Sequence, residues 1–177
     1  LSVFDVRIVN KILLTTMGLS GEAPPAPARK RELLRRTIDI IAAATALSVA
    51  APAMIVLFAA VRATMGAPAF FIQERAGLNR RPFRMVKFRT MTDARDADGR
   101  LLGDDERVTP LGRFLRRSRL DELPELWNIL RGHMGLVGPR PLLPTSGPNL
   151  GARGDERLSV RPGLTGWAQV NGNTLLS

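Results

Sequence analysis

Asp121 and Glu122 are neighbouring carboxylates that follow arginines at 116, 117 and 119 and precede Pro124. Nineteen residues beyond Asp121, Arg140 stands between Pro139 and Pro141. The two prolines fix its backbone and can aim the guanidinium at a phosphate in bidentate fashion. Carboxylates that act on a phosphate need cations close by, because anion–anion repulsion otherwise keeps the reactants apart. Pro124 suits a first helical turn, where its missing N–H costs little. That places Asp121 and Glu122 at the positive end of a helix, where the dipole stabilises ionised carboxylates and attracts phosphate. Adjacent helical residues point about 100° apart, so the pair suits two tasks. One can act as nucleophile while the other holds a divalent cation that neutralises phosphate charge. The plain alternative makes Asp121 a helix cap, Glu122 a solvated first-turn acid and the arginines a solvated basic face.

The chain has no cysteine and a single histidine, His133. Disulfides, thiolate metal sites and a histidine-rich zinc centre are therefore excluded. A metal must rest on oxygen ligands, which points to Mg²⁺ or a similar ion. Lys87 and Arg89 alternate with Phe88 as a strand places them, facing either a cleft or water. A Walker loop, Gly-x-Gly-x-x-Gly and Gly-x-Ser-x-Gly are all absent, so the common phosphate cradle, dinucleotide fold and serine hydrolase are unsupported.

Among the elements that must position these residues, Ile38 to Val61 is the most distinctive. Its 24 residues contain a single charge, Asp39. As one straight helix it measures about 36 Å, enough to cross a hydrocarbon core. Pro52, however, sits in its middle and must bend it. Basic residues also flank both ends, Arg29, Lys30, Arg31, Arg35 and Arg36 before, Arg62, Arg75, Arg80 and Arg81 after. A spanning helix normally biases such charge toward one side. A helix–break–helix hairpin, broken at Pro52, that enters one leaflet and returns satisfies both observations. A kinked spanning helix and a buried core helix are the alternatives.

Residues 1–20 carry a modest helical pattern and 21–28 form a Pro-rich linker. Beyond Gly66-Ala67-Pro68, two short strands are expected at Ala69–Gln73 and Phe83–Arg89. A charged loop follows from Asp93 to Asp105. A basic helix is expected from Val108 to Arg117, with Leu111, Phe114 and Leu115 inward. Leu123, Leu126, Trp127 and Leu130 recur at helical spacing, and Gly132 is placed to end that helix. The reading is a mainly helical α+β protein: an arm and linker (1–28), a re-entrant membrane hairpin (29–66) and a small globular domain (67–177).

The 26 basic residues against 16 acidic ones give a net charge of +10, which favours anionic partners. Aromatics are 5% of the chain and tyrosine is absent, so a base-stacking platform is poorly supplied. With the apolar segment, this sets nucleic acid aside as a partner.

The residues support a family resemblance. The matching stretches are Lys30 to Val61 with Asp39, Gln73–Gly77, Phe83–Met91, Thr109–Arg116, Leu120–Asn128, Leu136–Pro141 and Val160–Gly172. In this order they resemble the bacterial sugar transferases, the monotopic phosphoglycosyl transferases that start exopolysaccharide, O-antigen or glycoprotein glycan assembly. The resemblance implies a membrane enzyme of the bacterial inner (cytoplasmic) membrane, its catalytic domain on the cytoplasmic face. It implies transfer of a sugar-1-phosphate from a UDP-sugar to polyprenyl (undecaprenyl) phosphate, with release of UMP. In that scheme Asp121 attacks the sugar-linked phosphate to form a phosphosugar–aspartyl intermediate, and Glu122 coordinates Mg²⁺. Arg116 and Arg140 bind phosphates, while Lys87, Arg89 and Arg161 are further substrate contacts. Departures from the family pattern are Ala51 before Pro52 in place of serine, Arg80 in place of a turn glycine, Gly135 in place of a common serine, and Asn173 in place of a frequent arginine. Family members usually run past the equivalent of Ser177, so the globular domain is expected to be C-terminally incomplete. A non-catalytic membrane scaffold on the same framework is the rival expectation. The sugar, the pathway and the oligomeric state are left open.

Overall fold

The computed structural model describes residues 27–146 and 151–166. The expected arm, most of the linker and the motif from Trp167 onward lie outside the described residues. The chain divides into two compact units, residues 1–38 and 39–177. Of the first, the described part is the opening of helix α1 (Pro27–Met65), where Leu33, Leu34 and Ile38 are exposed and the Thr37 hydroxyl donates to the Leu33 carbonyl at 3.0 Å.

The second unit holds the rest of α1 and a mixed helix–strand body. Pro52 does not split α1, which is a single 39-residue helix with the proline inside it. The expected helix break is therefore absent. A proline removes one backbone N–H and crowds one carbonyl, which can bend a helix without ending it. Lys30–Met65 is long and apolar enough to cross a membrane by length and composition, with a mean hydropathy of 2.3 in its most apolar stretch. One stripe of the helix packs on the body through Asp39, Ala43 and Val61, all buried. The other faces leave Ile41, Val49, Ile55 and Val56 exposed.

Strands β1 (Phe70–Ala76) and β2 (Pro82–Phe88) form an antiparallel hairpin with Phe71 opposite Lys87 and Arg75 opposite Phe83. The two strands expected from the sequence are thus present, joined across Leu78–Arg80. Asn79 and Arg80 both take left-handed backbone, at φ 53° and 62°, and Arg80 pairs with Asp155. After α2 (Asp104–Arg107) come α3 (Pro110–Ser118), a 3₁₀ turn (Leu120–Glu122) and α4 (Glu125–Leu130). Strand β3 (Gly135–Val137), helix α5 (Gly151–Leu158) and strand β4 (Gly163–Thr165) complete the described body, β3 and β4 pairing in parallel. The chains touch there because Gly138 and Gly163 lack side chains, a Cβ on Gly163 falling 2.0 Å from Gly138 N.

Two apolar clusters share strand β2. Phe83 and Met85 pack with Ala43, Leu126, Ile129 and Met134. Phe88 packs with Val61, Ala69 and Leu115. Two inward assignments need correction. Phe114 and Trp127 are exposed, Trp127 lying under the Arg131 guanidinium at 5.2 Å, while Leu115 and Ile129 take the buried positions. Gly132 does close α4, at φ 83° with its N–H on the Ile129 carbonyl.

Candidate active site

The site begins with how α3 stops. Thr109 caps the helix start by accepting the Gly112 N–H at 2.9 Å, with Pro110 in the first turn. At the other end Arg119 takes left-handed backbone, φ 58°. The chain then tightens into the 3₁₀ turn that carries Asp121 and Glu122, and Pro124 leads into α4. The two carboxylates therefore precede a six-residue helix rather than sit in the first turn of a long one. The ionised form of Glu122 is stabilised by side-chain cations more than by a helix dipole, which fades with so short a helix.

Those cations converge from separate elements. Lys87 on β2 reaches Glu122 Oε1 at 2.8 Å and Glu125 Oε1 at 3.0 Å. Arg119 lies 3.4 Å from Glu122 Oε2, and Arg140 3.6 Å from Glu122 Oε1. Burial pushes the Glu122 carboxyl up, but the Lys87 hydrogen bond and charge, with Arg140 and Arg119, outweigh it and hold the group below its ordinary range. Asp121 goes the other way. Burial raises its carboxyl and the Glu122 charge adds to that, against partial relief from Lys87, its own backbone N–H and Arg116. Burial likewise raises Glu125, with Lys87 opposing. Two adjacent carboxylates thus differ in proton affinity, the pattern expected where two acids take different roles.

Asp121 and Glu122 open into a cleft of about 690 Å³. Its lining brings together Lys87, Arg89, Arg116 and Arg140 from the residues expected to bind substrate, and adds Arg75, Arg107 and Arg119. Seven cationic side chains face four carboxylates across this lining, which suits a polyanion. Arg116 is oriented by Nε donation to Thr90 Oγ1 at 2.9 Å. Arg89 lines the cleft but bonds inward, to the Met91 and Ala67 carbonyls and to Asp93, so it ties strand β2 to its surroundings. Arg161 is not in the lining, its Nε donating to the Gly132 carbonyl at 3.3 Å. Pro52 belongs to the apolar face of α1, away from the lining.

Three participants were missed by the sequence reading. Glu125 is 3% exposed and shares Lys87 with Glu122. Arg75 donates to Gln73 Oε1 at 2.6 Å and to the Pro141 carbonyl at 3.3 Å, which ties β1 to the Pro-Arg-Pro segment. Asn128 locks α4 to β2, donating to the Arg84 carbonyl at 2.7 Å and accepting the Val86 N–H at 3.2 Å. The one available signal was position, since Glu125 stands one helical turn after Asp121. As to metal, the described residues contain no cluster of three or more acidic or histidine side chains. A Mg²⁺ ion bound through one or two carboxylates and substrate phosphates does not need one, and the paired oxygens of Glu122 in a polyanion cleft fit that chemistry.

Hairpin, carboxylate turn and cationic cleft form a site whose charge suits a polyanionic ligand. Residues 30–177 match the family model for bacterial sugar transferases, and the chain belongs to that enzyme family. It is 46% identical over 145 residues to the uncharacterized sugar transferase EpsL of Bacillus subtilis, covering 82% of this chain and 72% of that one. It is 43% identical over 154 residues to the UDP-glucose:undecaprenyl-phosphate glucose-1-phosphate transferase of Caulobacter vibrioides, covering 84% of this chain and 57% of the relative. To the UDP-N-acetylgalactosamine-undecaprenyl-phosphate N-acetylgalactosaminephosphotransferase of Aeromonas hydrophila it is 37% identical over 155 residues, covering 85% and 36%. The chain therefore spans about half or less of the length of the two relatives whose reactions are named.

Proposed function

We propose that this protein transfers a sugar-1-phosphate from a UDP-sugar to undecaprenyl phosphate, or a similar polyprenyl phosphate, and releases UMP. The observation that carries this is the pairing of a half-buried Asp121, its carboxyl raised by desolvation, with a Glu122 held ionised by cations inside a cationic cleft. The family and the named reactions of the relatives supply the substrate classes.

In the first step an Asp121 carboxylate oxygen bonds to the sugar-linked phosphorus as the bond to the UMP oxygen breaks. In the second, an oxygen of the polyprenyl phosphate bonds to the same phosphorus and the carboxylate leaves, giving a polyprenyl diphosphosugar. Arg116 and Arg140 hold the phosphates, with Lys87 beside them. Glu122 is the residue that would hold Mg²⁺, which when bound supplies neutralisation of diphosphate charge. Arg89 and Arg161, bonded to backbone carbonyls, support the site's framework rather than gripping substrate.

The apolar helix supports a membrane location for this chemistry, which we assign to the inner membrane with the cleft on the cytoplasmic face, where UDP-sugars are made. We further propose that α1 re-enters rather than spans. The test of function is Mg²⁺-dependent UMP release from a panel of UDP-sugars, with and without undecaprenyl phosphate. Lipid-dependent release that vanishes in Asp121→Asn is the expected result. Lipid-dependent release that survives this substitution overturns the nucleophile, and silence across the panel favours the non-catalytic scaffold.

A further inference from the structure

The cleft has an apolar rim that the transfer chemistry leaves unused. On β1, Phe71 is 49% exposed, lines the cleft and lies directly opposite Lys87 in the hairpin register. Lys87 in turn touches Glu122, so an exposed aromatic ring stands one strand away from the phosphate-handling centre. Pro68, at the end of the connection from α1, lines the same side. Phe70 joins this rim to the apolar helix: its ring lies 5.7 Å from Phe58 on α1 and stacks on Phe88 at 5.2 Å. Phe58 and Ile55 are themselves exposed on α1. An apolar surface therefore runs from the helix, over Phe70 and Pro68, to Phe71 and the mouth of a cationic cleft. A contiguous exposed apolar patch beside a polar cleft marks a binding surface, as singly scattered apolar side chains do not.

We propose that Phe71 and the adjoining rim seat the isoprenoid chain of the lipid acceptor next to its phosphate. The occupant follows from complementarity at both ends. A molecule with an anionic head and a long hydrocarbon tail matches a cationic interior whose apolar margin continues into the lipid-facing helix. Holding the first isoprene units fixes the phosphate oxygen near Lys87 and Asp121, which removes orientational freedom before reaction. This inference rests on the proposed transfer to a polyprenyl phosphate, and a binding measurement separates the two.

The experiment uses the full chain in lipid nanodiscs, with undecaprenyl phosphate and farnesyl phosphate as probes. Binding is read by photo-crosslinking competition and turnover by UMP release. Phe71→Ser is expected to weaken undecaprenyl phosphate about tenfold, the scale of exposing much of one aromatic side chain. Farnesyl phosphate, which carries the same first isoprene units, should weaken by a similar factor, while inorganic phosphate as a competitor and the UDP-sugar KM should stay unchanged. Phe71→Leu, which keeps an apolar side chain, should recover most of the loss and guards against a folding defect. An equal loss for inorganic phosphate, a raised UDP-sugar KM (a nucleobase stacked on the ring), or no change overturns the proposal. Wild-type protein that binds both isoprenoid phosphates through Phe71 yet never turns over upholds the lipid seat and defeats the transferase reading instead.

Discussion

At the scale of single residues, the site is a problem of unequal protonation. Asp121 and Glu122 are adjacent in sequence, yet burial dominates one and cations the other. Asp121→Asn should lower turnover by about 10³-fold or more, the scale of losing a covalent nucleophile, measured as UMP release. The same substitution should raise thermal stability at neutral pH. A carboxyl whose folded-state pKa is raised carries no penalty below its unfolded pKa, where both states are protonated, and the full penalty above its folded pKa. The gain in Tm should therefore be present at pH 7 and vanish in acid. Glu122→Gln should behave oppositely. Its depressed carboxyl contributes stability above the unfolded pKa that is lost as pH falls through the folded one, so the variant's deficit in Tm should close on acidification. Residue type alone did not single out these two acids, since Asp104-Asp105-Glu106-Arg107 and Asp155-Glu156-Arg157 also set adjacent carboxylates beside an arginine; their place in an ordered series of family-like motifs did. Glu125 was not legible, since a glutamate in a first helical turn is ordinary. Only Lys87, 38 residues upstream and brought in by the β-hairpin, makes it part of the site.

At the scale of elements, alternation revealed β1 and β2, and Gly132 marked the end of α4. The short helices were less legible on their faces. Nine residues in α3 and six in α4 give too few turns for a 3.6 period to separate one side from its neighbour. Which side is buried depends on β2 and α1, both distant in sequence. Hence Phe114 and Trp127 point outward. The contact of α3 with the strand that carries the site is set instead by a missing side chain. A Cβ on Gly112 would lie 1.9 Å from the Thr90 carbonyl oxygen. Thr90 also orients Arg116. Gly112→Ala should therefore cost about 1–3 kcal/mol by overpacking, read from urea unfolding. It should also raise the UDP-sugar KM by displacing Arg116. Unaltered stability and KM would show that α3 can shift without consequence.

At the scale of the whole molecule, the decisive feature is where the two ends of the apolar segment pack. Ala43 and Val61 are eighteen residues apart, about 27 Å along a straight helix, close to the thickness of a hydrocarbon core. Both are fully buried against the body, in clusters that share strand β2. A helix that crossed the bilayer would carry one of these residues to the far side, away from any body that stays with the other. Asp39 adds a polar tether, accepting the Leu136 N–H at 3.2 Å from the start of the apolar run. Ile41, Val49, Ile55 and Val56 stay exposed on the rest of the helix, the surface that the proposed re-entry would turn to lipid. Length and composition alone could not distinguish these arrangements, because a spanning and a returning helix use the same apolar residues. The native chain lacks cysteine, so Lys30→Cys and Ala67→Cys each introduce a unique label. In intact inverted membrane vesicles a membrane-impermeant maleimide should modify both, and in right-side-out vesicles neither. Labelling of the two positions from opposite sides would make α1 a spanning helix. The burial of Ala43 and Val61 on one body would then have to give way on insertion, and a Tm that falls rather than rises on transfer from detergent to bilayer would be its accompanying sign.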